Sequence, residues 1–540
     1  MTVGSTASGQ EDVLAFLAAG AGSGAPARRI DTHISIVFLA RDRVLKVKRA
    51  VRLPFLDNSG LDQRKHCCDE ELAVNARNAP DIYRRVVAIT READGFALDG
   101  KGPVVEWAVE MARFDESRTL DHLAAARAVP AGTADALAKT IHASHAGAPV
   151  ADGKQWLASI ATIIDRNTGK FREQRTLAAG DVDRLHEFSH RHLRDHMPLL
   201  QRRADAGLVR RCHGDAHLAN IVMIGDRPVL FDAIEFDASM ATTDLLYDLA
   251  FPVMDFLHFG DAEAANRLFN GYLQSGWREH GDALRLLPLF LSMRAAVRAL
   301  VSFTKHELRP DDPDCLADAA SYFALALHLI APDKPSLIAI GGRSGTGKSV
   351  LARSIAGRIA PAPGAVLLRS DIIRKELAGV DALTRLPASA YTRESSDAVY
   401  GEMFARARQV LAQGHSATLD AAFLKAAERT TAAQIADAAG VAFCGIFLDA
   451  APDVRLQRIG LRRGDASDAT EAVALSQETI DLGAVDWKIV DASGTPDQTL
   501  ARAALLLPPC QRCSTYSPGA SASASCFGPP IGGGATGEPE

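Results

Sequence analysis

At 540 residues the chain is too long for one ordinary hydrophobic core, so two or three domains are expected. Hydrophobic residues make up 47% and charged residues 23%, the balance of a soluble globular protein. A net charge of −6 without a long basic run argues against a nucleic-acid partner, and eight cysteines are too few for a disulfide scaffold.

The opening MTVGSTASGQEDVLAF lacks a basic region followed by an apolar one, so it does not read as a secretory signal. Residues 1–24 read as a flexible N-terminus and the protein as cytoplasmic. No apolar stretch approaches the roughly 18–20 residues of a membrane span, so no membrane partner is expected. From His33 to Val51, HISIVFLARDRVLKVKRAV reads as a β-hairpin turning at Arg41-Asp42. Period-two alternation puts Lys46 and Lys48 on one face of its second strand. A charged helix around Asp69-Glu70-Glu71 follows, with Cys67 and Cys68 as incidental thiols, then strands at 82–89 and 104–111.

From about Leu120 to Ile330 the pattern is helical, and His142 and His145 there read as packing or surface residues. Short strands interrupt it around HGDAHLAN, residues 213–220, and LFDAIEFD, residues 230–237. Phosphoryl transfer to a hydroxyl needs a carboxylate near the nucleophile and metal ligands bridging the phosphates. Asp215 can accept or orient the acceptor hydroxyl, Asn220 offers an oxygen to Mg²⁺, and Asp232 ends an apolar strand opposite them. Glu235 and Asp237 read as structural carboxylates positioning a local Arg or Lys.

Two prolines in Ala331-Pro332-Asp333-Lys334-Pro335 mark a boundary, and residues 331–336 read as a linker. The apolar strand 337–340 then leads into GRSGTGKS: Gly342, Arg343, Ser344, Gly345, Thr346, Gly347, Lys348 and Ser349. Strand, glycine loop and helix in this order form a P-loop whose amides cradle the β-phosphate of ATP. In it Lys348 reaches the β/γ-phosphates and Ser349 ligates Mg²⁺. Continuous apolar strands at 365–368, 417–419, 442–448 and 488–490 alternate with helices, the pattern of a buried parallel sheet. Asp371 ends the second strand and Asp420 the third, the latter a candidate metal ligand. Arg455, Arg458, Arg462 and Arg463 follow as a candidate lid over the phosphates. Residues 508–540 read as a disordered tail, and its Cys510, Cys513 and Cys526 as bland thiols.

HGDAHLAN with LFDAIEFD resembles the aminoglycoside phosphotransferase family of choline-kinase-like enzymes. The resemblance implies a protein-kinase-like bilobal fold over residues 25–330, with Asp215 catalytic, Asn220 and Asp232 on magnesium, and His217 orienting the loop. It also implies a small-lobe lysine on the phosphates, Lys46 with Lys48 second, paired with Glu71 or Glu70, and a hinge at Glu110-Met111-Ala112. Thr32-His33-Ile34-Ser35 stands where protein kinases have a glycine-rich loop, which argues against protein-kinase activity. Residues 337–507 resemble AAA_33-type P-loop kinases, a group related to zeta-toxin, gluconate-kinase-like and chloramphenicol-phosphotransferase-like proteins. That resemblance implies ATP γ-phosphate transfer to a small-molecule hydroxyl with Asp371 as base. The expected molecule is thus a two-domain α/β and α+β protein, a bifunctional kinase of small-molecule alcohols using ATP and Mg²⁺. A nucleotide-dependent regulatory switch is the alternative, and the acidic Glu235/Asp237 region is compatible with an aminoglycoside acceptor.

Overall fold

A computed structural model of the chain describes residues 10–21, 25–32, 34–53, 56–308, 310–461 and 465–508. They fall into two compact units, one drawn from Met1–Thr162 and Leu200–Pro252, the other from Ile163–Leu199 and Val253–Ala522.

The first unit is built on an antiparallel sheet of six strands. These are β1 (Arg28–Asp31), β2 (Ser35–Leu39), β3 (Arg43–Lys48), β4 (Tyr83–Glu92), β5 (Gly95–Leu98) and β6 (Val104–Ala112), in the order β1-β2-β3-β6-β4-β5. Val37 faces Lys46 and Phe38 faces Leu45 across the hairpin, and Lys46 faces Val109 of β6. Alternation along β3 sends Leu45 and Val47 into one apolar layer, which also holds Val13, Leu14 and Leu17 of the helix Glu11–Ala18. The expected flexible N-terminus is therefore corrected over this helix. Its apolar residues fall on one stripe, and Gln10 anchors it by donating to Lys48 O at 2.8 Å and Glu106 Oε2 at 2.8 Å. The opposite layer receives the helix Leu61–Ala76, whose buried residues are Arg64, Cys68, Glu71 and Asn75.

After the catalytic-loop sequence, β7 (Ile221–Ile224) and β8 (Arg227–Leu230) form an antiparallel hairpin. A second short antiparallel pair, Val209–Arg211 with Thr242–Asp244, brackets the segments 213–220 and 231–237. It is pinned by a buried fork in which Arg203 donates to both oxygens of Asp244 at 2.7 and 2.8 Å.

The second unit carries a parallel sheet of β9 (Ser336–Gly342), β10 (Val366–Arg369), β11 (Ala417–Asp420), β12 (Ala442–Asp449) and β13 (Lys488–Asp491), in the order β10-β11-β9-β12-β13. β9 is buried along its whole length, as a central parallel strand covered on both faces must be. Ile338, Ile340, Ile446 and Leu448 pack against Leu351 and Ile355 of the helix Lys348–Ala356.

The expected boundary at 331–336 is not where packing divides the chain. The helix Ala262–Ser275 joins the P-loop unit through side-chain amides: Asn266 and Asn270 donate to Ala365 O at 3.0 and 3.1 Å, and Asn270 Oδ1 accepts from Leu367 N at 2.7 Å. The expectation that no segment is long and apolar enough for a membrane span is also corrected. Leu284–Leu308 has a window of mean hydropathy 1.6, 78% of it buried inside the fold. Arg294 and Arg298 break its letters into short apolar runs, which hides the overall hydropathy.

Candidate active sites

In the first unit Lys46 Nζ sits between two carboxylates, 2.7 Å from Glu71 Oε1 and 2.6 Å from Asp232 Oδ1. Lys48, on the same face, lies 2.7 Å from Glu71 Oε2 and donates to Glu235. Glu71 thus takes one lysine on each oxygen, whereas Glu70 points away to Arg211 at 3.1 Å. Glu235 performs the local positioning expected of it, and Asp237 caps the short helix Ala238–Ala241. Lys48–Glu235 is not legible in local sequence, because the partners stand 187 residues apart.

Burial alone would lower the affinity of these amines for protons, but the facing carboxylates win. Asp232 and Glu71 hold Lys46 well above the ordinary lysine range, and Glu71 and Glu235 do the same for Lys48. Against its own burial, Glu71 is held down to about 2 by the two lysines. Glu235 moves the other way: burial beside Glu71 raises it, only partly offset by Lys48. Two ammonium groups against three carboxylates leave one negative charge, a surroundings suited to a divalent cation.

The catalytic-loop residues are fixed from behind. Gly214 N donates to Asp248 Oδ1 at 2.9 Å, and Asp248 Oδ2 lies 3.1 Å from His145 Nε2. His145 is therefore a support for the loop. His213 Nε2 donates to Phe231 O at 3.0 Å; burial keeps this ring below its ordinary pKa, so it stays neutral. Asn220 Nδ2 donates to Asp215 O at 3.0 Å and to Asp215 Oδ2 at 3.2 Å, which turns its amide oxygen away from these contacts. His217 Nε2 lies 3.4 Å from Asp215 Oδ2. Asp232 adopts φ +61°, and its N–H donates to Tyr83 Oη at 3.1 Å. The donor set of Asn220 and Asp232 fits Mg²⁺, a hard ion taking oxygen ligands. At the expected hinge Ala112 N–H donates to Ile82 O at 2.7 Å, and the Glu110 side chain pairs with Arg85 at 2.9 Å. Thr32 Oγ1 accepts from Ser35 N at 2.9 Å in the turn replacing a glycine loop; His33 lies outside the described residues.

In the second unit GRSGTGKS wraps the end of β9 into the helix Lys348–Ala356. Gly345 has φ +88°, and a Cβ there would lie 2.6 Å from Arg455 O, so the loop tolerates no side chain at this point. Thr346 Oγ1 and Lys348 Nζ both donate to Arg343 O, at 2.8 and 3.0 Å. The loop, with Ser349, opens into a cleft of about 1220 Å³ whose walls include Asp371 and Asp420. That exceeds the ~300–1,000 Å³ of a typical single-ligand site, leaving room for a nucleotide and an acceptor. Burial and the neighbouring Asp420 hold the Asp371 carboxyl above its ordinary pKa, against Arg369 and Lys348. Arg369 Nε donates to Asp420 Oδ2 at 3.1 Å and orients that carboxylate, which lines the cleft as Ser349 does. Ser349 and Asp420 are the oxygen donors that fit a magnesium ion here.

The arginine lid departs from expectation. Arg455 is buried behind the loop, donating to Ala450 O at 3.0 Å and pairing with Glu478. Arg458 lines the cleft, and its guanidinium donates to Ala492 O at 2.8 Å and Gly494 O at 2.6 Å, carbonyls past β13. Arg462 and Arg463 lie outside the described residues, as do Cys510, Cys513 and Cys526. Sequence reasoning missed Gln477, whose Oε1 accepts from Ser344 N at 2.7 Å and whose carbonyl accepts from Arg343 Nε at 3.1 Å. It also missed Arg385, Arg393 and Lys425, which line the same cleft as Asp371 and Arg374.

Residues 337–479 match the family described as an AAA domain, AAA_33. An uncharacterized protein of Mycobacterium tuberculosis (strain ATCC 25618 / H37Rv) is 27% identical over 489 residues, spanning 88% of this chain and 94% of that protein. A solved choline/ethanolamine kinase family protein from Mesorhizobium loti aligns at 19% identity and a TM-score of 0.37, over 60% of this chain and 95% of that one. A gluconokinase from Sinorhizobium meliloti 1021 aligns at 22% identity and a TM-score of 0.24, over 32% of this chain and 94% of that one.

Proposed function

We propose that the chain is a two-site ATP-dependent phosphotransferase acting on small-molecule hydroxyl groups. The observation that carries this reading is a repeated pairing: each unit assembles phosphate-binding cations and a carboxylate suited to orient a hydroxyl. In the first unit Lys46 grips phosphate, held by Glu71, while Asp215 orients the acceptor hydroxyl and takes up its proton. In the second the loop amides and Lys348 hold the β/γ-phosphates, and Asp371 faces the acceptor. Bound magnesium would neutralise developing phosphate charge from Asn220 and Asp232 in one site and from Ser349 and Asp420 in the other. Positioning and electrostatics supply most of such a rate enhancement, so rigidly held charges matter more than covalent chemistry.

The cations lining the cleft that holds Asp371 favour an acceptor carrying a carboxylate or phosphate in the second site. Arg374 is preset there, donating to Ala390 O at 2.8 Å and stacking over Tyr391 at 4.7 Å. A metabolite phosphorylation screen with full-length protein tests this: anionic alcohols should be labelled by wild type and by Asp215→Ala, and not by Asp371→Asn. Labelling of neutral alcohols alone would sink the acceptor assignment.

The switch reading has one contact in its favour, since Gln477 occupies an amide of the P-loop. If ATP displaced it without any acceptor labelling, with the segment Glu471–Ser476 gaining hydrogen exchange, the switch would replace the enzyme in that unit.

A further inference from the structure

We propose that Asp165, His186 and His190 form a surface site for one divalent transition-metal ion, zinc by chemistry, separate from both nucleotide sites. Asp165 comes from the helix Gly153–Glu173, and the two histidines from the helix Ala179–Asp205. A spacing of four puts both imidazoles on one helix face. Their ring centroids are 4.5 Å apart. Asp165 Oδ1 lies 2.7 Å from His190 Nε2 and 3.9 Å from His186 Nδ1, and the three ligand atoms all fall within 4.8 Å of one another.

Those separations suit zinc. Bonds of about 2.0–2.2 Å in a tetrahedron place ligand atoms roughly 3.3–3.5 Å apart, and the two observed distances bracket that value. The side chains are 59%, 31% and 21% exposed for Asp165, His186 and His190, so small rotations close the set and water can complete it. Two imidazoles with one carboxylate select Zn²⁺, Ni²⁺ or Cu²⁺ over Mg²⁺, which prefers oxygen alone. Thr168 Oγ1, 3.1 Å from His186 Nδ1, makes the contact that the ion replaces. The bound ion would cross-link the two helices.

The test is calorimetric titration of chelator-stripped, full-length protein with Zn²⁺ alone, comparing wild type with His186→Ala/His190→Ala and Asp165→Asn. Thermal melts without metal verify that all three are folded alike. Wild type should bind one equivalent more than the double variant and gain more thermal stability from Zn²⁺. Asp165→Asn, which keeps both imidazoles, should weaken that equivalent by about tenfold or more, at least the loss seen for outer-sphere partners. Cobalt substitution should give absorption without thiolate charge transfer, absent from the double variant. Equal stoichiometry and equal thermal shifts in wild type and double variant would overturn the site, as would Asp165→Asn binding like wild type.

Discussion

Lys48 is the residue whose position carries the least redundancy. It is almost fully buried and its ammonium pairs with two carboxylates, Glu71 and Glu235. Removing one member of a buried ion pair leaves the other uncompensated, typically at a cost of 3–5 kcal/mol. Lys48→Met should therefore destabilise the first unit by about that amount in urea unfolding, and adding Glu235→Gln should restore part of it. A double variant as unstable as the sum of the singles would contradict the pairing. His415 provides a pH-dependent case. Burial depresses this ring from 6.5 to about 4, opposed only by its bond to Gly364 O at 2.9 Å. The unfolded chain takes up that proton first, so the stability is present above pH 6.5 and is lost as pH falls from 6.5 through about 4. The loss should be on the order of 3 kcal/mol, and His415→Gln should flatten the stability profile across that window.

At the scale of elements, the P-loop shows how backbone and neighbouring helix are matched. Gly345 and Gly347 both have positive φ, +88° and +91°, but open space surrounds a Cβ at Gly347 whereas Arg455 O blocks one at Gly345. Gly347→Ala should cost only the left-handed strain, about 1–2 kcal/mol. Gly345→Ala adds the clash with the helix Pro452–Leu461 and should lower the nucleotide-free melting temperature further. Equal melting temperatures for the two variants would show that this helix is not packed on the loop as described. The helix Leu61–Ala76 makes a different point. Its buried stripe runs Arg64, Cys68, Glu71 and Asn75, so apolar periodicity carries no signal for the face that matters. That is why sequence alone left Glu70 and Glu71 as alternatives, and why the fold of β3 onto this helix decides between them.

Across the whole molecule, the hairpin, the parallel-sheet strands and both phosphate-binding sequences were legible because each is a local pattern: alternation in the hairpin, apolar runs in the parallel sheet, fixed spacing in HGDAHLAN and GRSGTGKS; the edge strands Arg28–Asp31 and Gly95–Leu98 were not. Features built from distant residues were not. Prolines at 332 and 335 mark a break in helical sequence, but Asn266 and Asn270 commit the preceding helices to the P-loop unit, and no local signal announces such a contact. The N-terminal helix was hidden by its brevity beside a Gly- and Ser-rich stretch, and the arginine lid by the carbonyls that claim Arg455 and Arg458.

The central claim is two independent sites in one chain, and ATP consumption with Mg²⁺ tests it most directly. Full-length wild type would be compared with Asp215→Ala, Lys348→Ala and the double variant, in the presence of acceptors for both sites. Each single variant should lose one activity by about 10²–10³-fold while keeping the other, and the double variant should lose both. Wild-type turnover in the double variant, or loss of all turnover in either single variant, would contradict the account.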